Sequence, residues 1–446
     1  MRILLLGSGG REHALAWKIR RSPLVRALFI AAGKPSAARA PEEQGGAAAR
    51  REQARVGLAA EGELVPLDIL SAGEVAGWAS ERRIDLVVVG PEAPLVTGVT
   101  DELRRRGIAV FGPSSGAAQV EGSKVFAKRF MARHAIPSAT FEVFSSAAEA
   151  REALRSRRVP VPCVVKADGL AAGKGVIVCQ GIDTALAAVD QAMVSRAFGP
   201  AGERIVIEEL LVGREASFFV LCDGRTAVPL QTCQDYKRLE DGDQGPNTGG
   251  MGGFSPSPFL DADTERTVMS LIVQPTLEGL ASEGLPYHGV LYVGIMLTRD
   301  GPRVLEYNAR FGDPETQAMM PRLESDIVPL LAGAARGELA GAQPAWRAES
   351  SVCVVLASGG YPGAYPTGRV IEGLDQASSI EGVHIFHAGT RVDPDGRVLT
   401  AGGRVLAVVA LGTGIEAARR RAYEAAAHVS FEGRHCRSDI AKDVPS

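Results

Sequence analysis

Three alternate positions of one run, Glu306, Asn308 and Arg310 in Val304-Leu305-Glu306-Tyr307-Asn308-Ala309-Arg310, carry two oxygen donors and a guanidinium. Side chains alternate along an extended chain, so these three share a face. Oxygen ligands beside a fixed positive charge suit a hard divalent cation shared with phosphate oxygens. The competing reading is an outward polar strand face. A second run, Lys-Ala-Asp-Gly-Leu-Ala-Ala-Gly-Lys-Gly at 166–175, lies between the apolar stretches 161–165 and 176–178. Its glycines let backbone amides approach an anion while Lys166 and Lys174 bring ammonium groups to the same place. This predicts strand, phosphate-gripping loop, strand. It is not a Walker A loop, because the glycine spacing is one residue short, Gly175 stands where Ser or Thr belongs, and a β-branched run follows instead of a helix. A tight hairpin with solvated lysines is the alternative.

Glu208 and Glu209 close the apolar run 205–207 and would point to opposite faces of a strand, so at least one must leave the core or meet a ligand. The polar stretch 234–253 carries Asp235, Lys237 and Arg238 and then Gly245-Pro246-Asn247-Thr248-Gly249-Gly250-Met251-Gly252-Gly253. It reads as a loop offering backbone amides, or as a flexible linker. At the N-terminus, Gly7-Ser8-Gly9-Gly10-Arg11-Glu12 separates an apolar strand from a helix. The third glycine of the dinucleotide fingerprint is missing and Glu12 takes its place, which weakens a nicotinamide or flavin reading and leaves a phosphate at the helix N-terminus. Another strand, 85–89, ends in Gly90-Pro91-Glu92. Open parallel sheets bind ligands beyond their strands' carboxyl ends, so Gly9, Gly10, Arg11 and Glu92 would face one crevice.

These pieces need a sizeable frame. A chain of 446 residues makes about three domains. Forty-nine basic against fifty-two acidic residues give a net charge of −3, which argues against nucleic acid and leaves small anions to local clusters. Six cysteines without CxxC spacing suggest neither a disulfide framework nor a zinc site, and fit a reducing cytoplasm. No run is long enough to span a bilayer, and the expectation is a soluble protein. Strands are expected at 27–31 and 108–111 with a helix at 99–106, and the Ala/Arg/Glu-rich stretch 35–64 reads as a solvated surface insertion. A helix at 123–134 carries Lys124 and Lys128. Residues 137–203 form a small lid, 289–297 a strand, 326–335 a helix, and the last unit is mostly β with a helix at 416–428. His384 and His387 fall on opposite faces of a strand and read as packing residues.

Together, the lysine loop, 208–215 and 306–310 resemble the ATP-grasp superfamily, in which two α+β units clamp ATP. Gly9-Gly10-Arg11-Glu12-His13-Ala14, Gly90-Pro91-Glu92-Ala93-Pro94-Leu95, the runs 166–175, 245–252 and 310–317, and Gly402-Gly403-Arg404-Val405-Leu406 are similar, nearly end to end, to the phosphoribosylamine–glycine ligases of purine synthesis. The resemblance implies an α/β and α+β multidomain ATP-grasp fold: an open parallel α/β domain at 1–117, a main domain at 118–136 and 204–330, the lid at 137–203, and a small mostly β domain at 331–446. It implies that ATP meets Lys124, Lys166, Gly173, Lys174, Gly175, Glu208, Glu209, Leu211 and Glu215, and that Glu306 and Asn308 hold Mg²⁺ or Mn²⁺. Gly9, Gly10, Arg11, Glu92, Asn247 and Thr248 would take phosphoribosylamine, while Asp235 and Arg310 would hold glycine, with Arg310, Lys166 and Asp235 nearest the chemistry. It also implies small-molecule partners only, no nucleic acid or membrane, and a monomer or weak dimer. Two departures from the family pattern stand out, Ser8 in place of Asn and the Ala32-Gly33-Lys34-Pro35-Ser36 loop before the insertion. A ligase or carboxylase for another acid would need the lysine loop and the Glu306 strand but not Gly9 to Arg11. A nucleotide-binding protein without chemistry would have no use for intact Glu306, Asn308, Lys166 and Lys124.

Overall fold

In the computed structural model, which describes residues 1–33, 56–170, 175–442 and 444, the strand Arg2–Leu6 is the centre of a five-stranded sheet. Its order is Glu63–Val65, Ala27–Ala31, Arg2–Leu6, Leu86–Val89, Val110–Phe111, with every pairing parallel. Ile3, Leu4, Leu5 and Leu6 are all buried, as expected of a central parallel strand covered on both faces. The strand turns into the helix Gly10–Arg20, so the glycine turn lies at the sheet's carboxyl edge. Residues 56–65 differ from the expected solvated insertion. They form the helix Val56–Glu61, with Leu58 buried, and the edge strand Glu63–Val65. Parallel pairing with Ala27–Ala31, a long-range contact that local composition does not reveal, imposes that structure. The Lys34–Ser36 loop and the earlier insertion lie outside the described residues.

The stretch 137–203, expected to be the lid, supplies three strands of a four-stranded antiparallel sheet ordered Phe141–Phe144, Ile205–Glu209, Cys163–Ala167, Val176–Cys179, whose second strand comes from the stretch assigned to the main domain. Helices Ala147–Arg155 and Ile182–Val189 cover one face over Val165, Ile205 and Ile207. A second antiparallel sheet, Ala227–Pro229, Arg214–Asp223, His288–Thr298, Gly301–Asn308, carries the Glu306 strand at its edge. The helix Lys124–Arg133 is capped by Ser123, whose hydroxyl accepts from the Phe126 amide.

The stretch 234–253 is not a flexible linker, and it is loop only in part. It contains Gln234–Asp235, the hairpin Arg238–Glu240 with Gln244–Asn247, and Gly252–Ser255. Gly252–Ser255 pairs with Ser350–Ser358, with Gly252 opposite Val354, and so joins the sheet that continues through Arg404–Gly412 to Val383–His387. One sheet thus crosses the sequence-based division at residue 330. A glycine-rich strand carries no apolar alternation, and its partner lies about a hundred residues away, so its own sequence could not reveal it. Helix Ile415–His428 packs on this sheet through Ala418, Ala422 and Ala425. Among the described residues, no helix is long and apolar enough to cross a membrane.

Candidate active site

The lysine side is assembled where the lid meets the Glu306 strand. Lys166 ends its lid strand facing inward, donates to the Leu305 carbonyl at 3.0 Å and forms an ion pair with Glu208. Lys128, one turn along the helix from Lys124, reaches the other Glu208 oxygen at 2.5 Å. Glu208, only 3% exposed, therefore faces two ammonium groups, while Glu209 points out and accepts from the Thr140 amide at 3.4 Å. The opposite-face expectation for these acids holds. Lys124 lies 3.0 Å from Glu306. That ammonium, with Lys237 and Lys166 beyond it, holds the Glu306 carboxyl far below its usual range despite burial. Burial opposes the charge on Lys124, but Glu306 together with Glu121 and Glu208 outweighs it and the lysine is raised. Lys128 is lowered by burial, with Glu208 offsetting part of the effect.

Asp168, just past the strand Cys163–Ala167, accepts from the Ser123 hydroxyl at 2.7 Å and the Val125 amide at 3.1 Å, and pairs with Arg204 at 2.6 Å. It ties the lid to the helix that presents Lys124. Gly175 accepts from the Ala167 amide at 2.8 Å, whereas Gly173 and Lys174 lie outside the described residues. Past Glu209, Leu211 is buried with Ala139, Met296 and Leu305 in a small apolar cluster. Glu215 is half-exposed, 3.5 Å from Lys237.

The second half of the cleft gathers around Arg310. Its guanidinium lies 3.4 Å from Glu92, 3.3 Å from Glu121 and 3.2 Å from the Asn308 amide oxygen. It also donates to the Phe311 carbonyl at 3.1 Å, and Arg11 reaches the same oxygen at 3.0 Å. The Glu306, Asn308 and Arg310 series and the Gly9, Arg11 and Glu92 crevice are therefore contiguous. Burial opposes the charge on Arg310, yet Glu121 and Glu92 raise it above its ordinary value. Glu92 is lowered by Arg310 and Arg11 against burial, while fully enclosed Glu121 is raised by burial. Glu12 accepts from the Gly9 amide and from Arg11, both at 2.6 Å. Its side chain fills the space over Gly7, whose φ is +116° and where a Cβ would lie 2.7 Å from Glu12 Cγ. The residue standing where the fingerprint's glycine is missing is thus a buried anchor for the turn.

Asp235 accepts a long 3.5 Å contact from Ser217, whose hydroxyl meets the Tyr292 hydroxyl at 2.9 Å. Burial raises Asp235, and Lys237 beside it is raised well above the usual ammonium range. Glu315 is pushed up to about 7 by burial and then by Asp235. Thr248 is buried, its hydroxyl donating to the Lys237 carbonyl at 2.9 Å, and Asn247 ends the hairpin strand. Both help shape the glycine run. Sequence reasoning gave no part to Glu121, Asp168, Asp313 or Glu315. The available signal was a carboxylate inside an otherwise apolar or small-residue stretch, which requires a cation or a proton once buried. His384 and His387 pack against Trp17 and His13, at ring separations of 4.9 and 5.7 Å. Among the described residues, no cluster of three or more His, Cys, Asp or Glu side chains has metal-holding geometry.

Three family models match the chain in succession: the phosphoribosylglycinamide synthetase N domain over 1–121, its ATP-grasp (A) domain over 122–316, and its C domain over 351–443. The chain is 47% identical over 441 residues to the phosphoribosylamine–glycine ligase of Pseudomonas syringae pv. tomato, covering 99% of this chain and 97% of that protein. It is 48% identical over 440 residues to that of Agrobacterium fabrum, covering 99% and 98%. The crystal structure of phosphoribosylamine–glycine ligase from Thermotoga maritima superposes with a TM-score of 0.81 at 35% identity, covering 99% of this chain and all of that one. The biotin carboxylase domain of Hydrogenobacter thermophilus 2-oxoglutarate carboxylase matches at a TM-score of 0.73 and 15% identity, covering 98% and 91%, which is a likeness of fold.

Proposed function

This chain belongs to the phosphoribosylglycinamide synthetase family, and on that footing we propose which of its residues carry the reaction. It is an ATP-dependent carbon–nitrogen ligase of purine biosynthesis, joining the carboxylate of glycine to the amine of 5-phosphoribosylamine. A carboxylate resists attack by an amine because its charge and resonance oppose the nucleophile. Phosphorylation by ATP relieves both and leaves an acyl phosphate, from which the amine displaces phosphate. Little of this needs covalent help from protein; positioning and charge cancellation supply most of it.

Lys124 and Lys166 contact the ATP phosphates, and Gly173, Lys174 and Gly175 belong to the same ATP site. Glu208 orients Lys166 and Lys128. The adenine ring lies against Leu211 and its apolar neighbours and is read by backbone groups from Glu209 onward, and Glu215 takes the ribose hydroxyls. Glu306, held ionised, and the amide oxygen of Asn308 form an all-oxygen donor pair that fits Mg²⁺ or Mn²⁺. Glu306 and Asn308 would hold such a cation, which would offset phosphate charge there. Gly9, Gly10 and Arg11 take the ribose phosphate, Glu92 the sugar hydroxyls, and Asn247 and Thr248 shape the amine substrate's wall. Arg310 takes the carboxylate of glycine and Asp235 its ammonium. Lys237 lies beside Asp235, while burial raises Asp235, Glu315 and Glu121 and favours their neutral forms, so an ammonium ligand at this half of the cleft would favour their ionised forms. Closure that excludes water protects the acyl phosphate.

The observation that carries this reading is the convergence of Lys124 and Lys166 with Glu306, Asn308 and Arg310 at one cleft edge. ADP release from purified protein tests it, measured with ATP, Mg²⁺ and glycine, with and without phosphoribosylamine generated in place from ribose 5-phosphate and ammonia. ADP and glycinamide ribonucleotide should appear only with the complete set. Turnover that ignores the ribose amine would overturn the substrate assignment.

A further inference from the structure

Arg404 stands at the end of the C-terminal strand Arg404–Gly412, far in sequence from every residue given a part above. Its guanidinium donates to the Gly249 carbonyl at 2.5 Å and the Asp313 carbonyl at 2.8 Å, and pairs with the Asp313 carboxylate at 3.1 Å. A Cβ on Gly249 would lie 3.0 Å from the guanidinium carbon, so the glycine run is pressed directly against it. From the other side, the Gly249 amide donates to the Tyr361 hydroxyl at 2.9 Å. Asp313 accepts from Gln317 Nε2 at 2.6 Å. Cβ atoms built on Gly9 and Gly10 would sit 3.5 Å from the Asp313 carboxylate and 2.6 Å from Gln317 Nε2. Asp313 and Gln317 therefore form the wall facing the turn that opens the first helix.

An unneutralised carboxylate on that wall would repel a phosphate. Burial works against the ionised form of Asp313, but Arg404 first, and then Arg11, hold it ionised. The chain thus keeps a charge opposite the Gly9–Gly10 turn and cancels it with a guanidinium from another sheet. Planar, five-donor arginine can hold carbonyls and a carboxylate at once, whereas lysine offers one compact charge.

We propose that Arg404 is a positioning residue for the ribose-phosphate end of the amine substrate, fixing and neutralising Asp313 and holding Gly249 so that both walls of that subsite are in register. The inference rests on Gly9, Gly10 and Arg11 forming the ribose-phosphate subsite. It makes the C-terminal sheet part of the site, while the ATP subsite stands on the lid and the Glu306 strand, which Arg404 does not touch.

The test is steady-state kinetics of full-length R404A, R404K, D313N and R404A/D313N, with R11A as the control for the subsite itself and thermal unfolding on each. R404A should raise KM for phosphoribosylamine about tenfold, the middle of the coupling range for contacting residues, with KM for ATP within about twofold. R404K should fall between R404A and wild type, and R404A should cost less in the D313N background than in the wild type. A fall in kcat with both KM values unchanged would mark Arg404 as merely structural and sink the proposal, as would an ATP KM rising as much as the amine's. If R404A does not fold, R404K decides on the same criteria. An R11A enzyme with unaltered phosphoribosylamine KM would instead remove the subsite assignment beneath the proposal.

Discussion

The two halves of the cleft solve opposite electrostatic problems. Around the lid, Lys124, Lys128 and Lys166 face the two carboxylates of Glu208 and Glu306, leaving one positive charge in excess. Every member lies between residues 124 and 306. Around Arg310, its partners Glu92 and Glu121 and the neighbouring Asp313–Arg404 pair come from segments spanning more than three hundred residues, and Glu121 and Glu315 are acids raised by burial. The first half suits a polyanion, and its pairs keep the lysines charged and aimed until phosphate arrives. The second suits ligands that bring an ammonium group and hydroxyls. The contrast teaches that the lysine cluster is assembled within one stretch of about two hundred residues, whereas the arginine cluster needs the first and last domains to meet.

The sharpest way to break the comparison is Lys166→Ala. It removes a phosphate contact and strips Glu208 of one of two cations, so kcat/KM for ATP should fall on the order of 10³-fold. Glu208 keeps Lys128 as its counter-ion in that variant, so thermal stability should fall far less than turnover, which calorimetry and the ADP assay read separately. Turnover retained with stability lost would make Lys166 a structural counter-ion only. Next in size, Arg310→Ala should raise the glycine requirement by about a hundredfold, the scale of a lost charge-assisted contact. Binding of a non-hydrolysable ATP analogue, followed by titration calorimetry, should be retained. Equal loss of both ligands would mean the two halves are not separable.

Glu315 tests the surplus of acid. Its folded value of about 7 lies above the ordinary 4.5, so the folded state binds more protons between those pH values and stability falls as pH rises through that window, levelling off above it. Glu315→Gln should remove that component, so the variant's unfolding midpoint should gain on wild type from pH 4.5 to 7. Parallel curves would show that Glu315 is not held protonated. The smallest effect belongs to Glu215→Ala, half-exposed at the rim of the adenine side. A several-fold rise in KM for ATP, with stability changed by no more than about 0.5 kcal/mol, separates a ribose contact from a surface charge, which would leave KM alone.

The chain's own order of residues determined the strands on either side of the lysine run, the shared face of Glu306 and Asn308, the inward and outward parting of Glu208 and Glu209, and the strand–turn–helix at Gly9. Each rests on local periodicity or on a backbone need that glycine alone meets. Only the tertiary structure decided that Glu12 fills the space over Gly7, that Gly252–Ser255 belongs to a sheet completed a hundred residues later, and that Asp168, Glu121 and Arg404 latch distant segments to the cleft. The reason is physical. A buried charge has a partner by necessity, but its type announces only that one exists; which residue supplies it depends on which strands pair, and that pairing is a long-range choice.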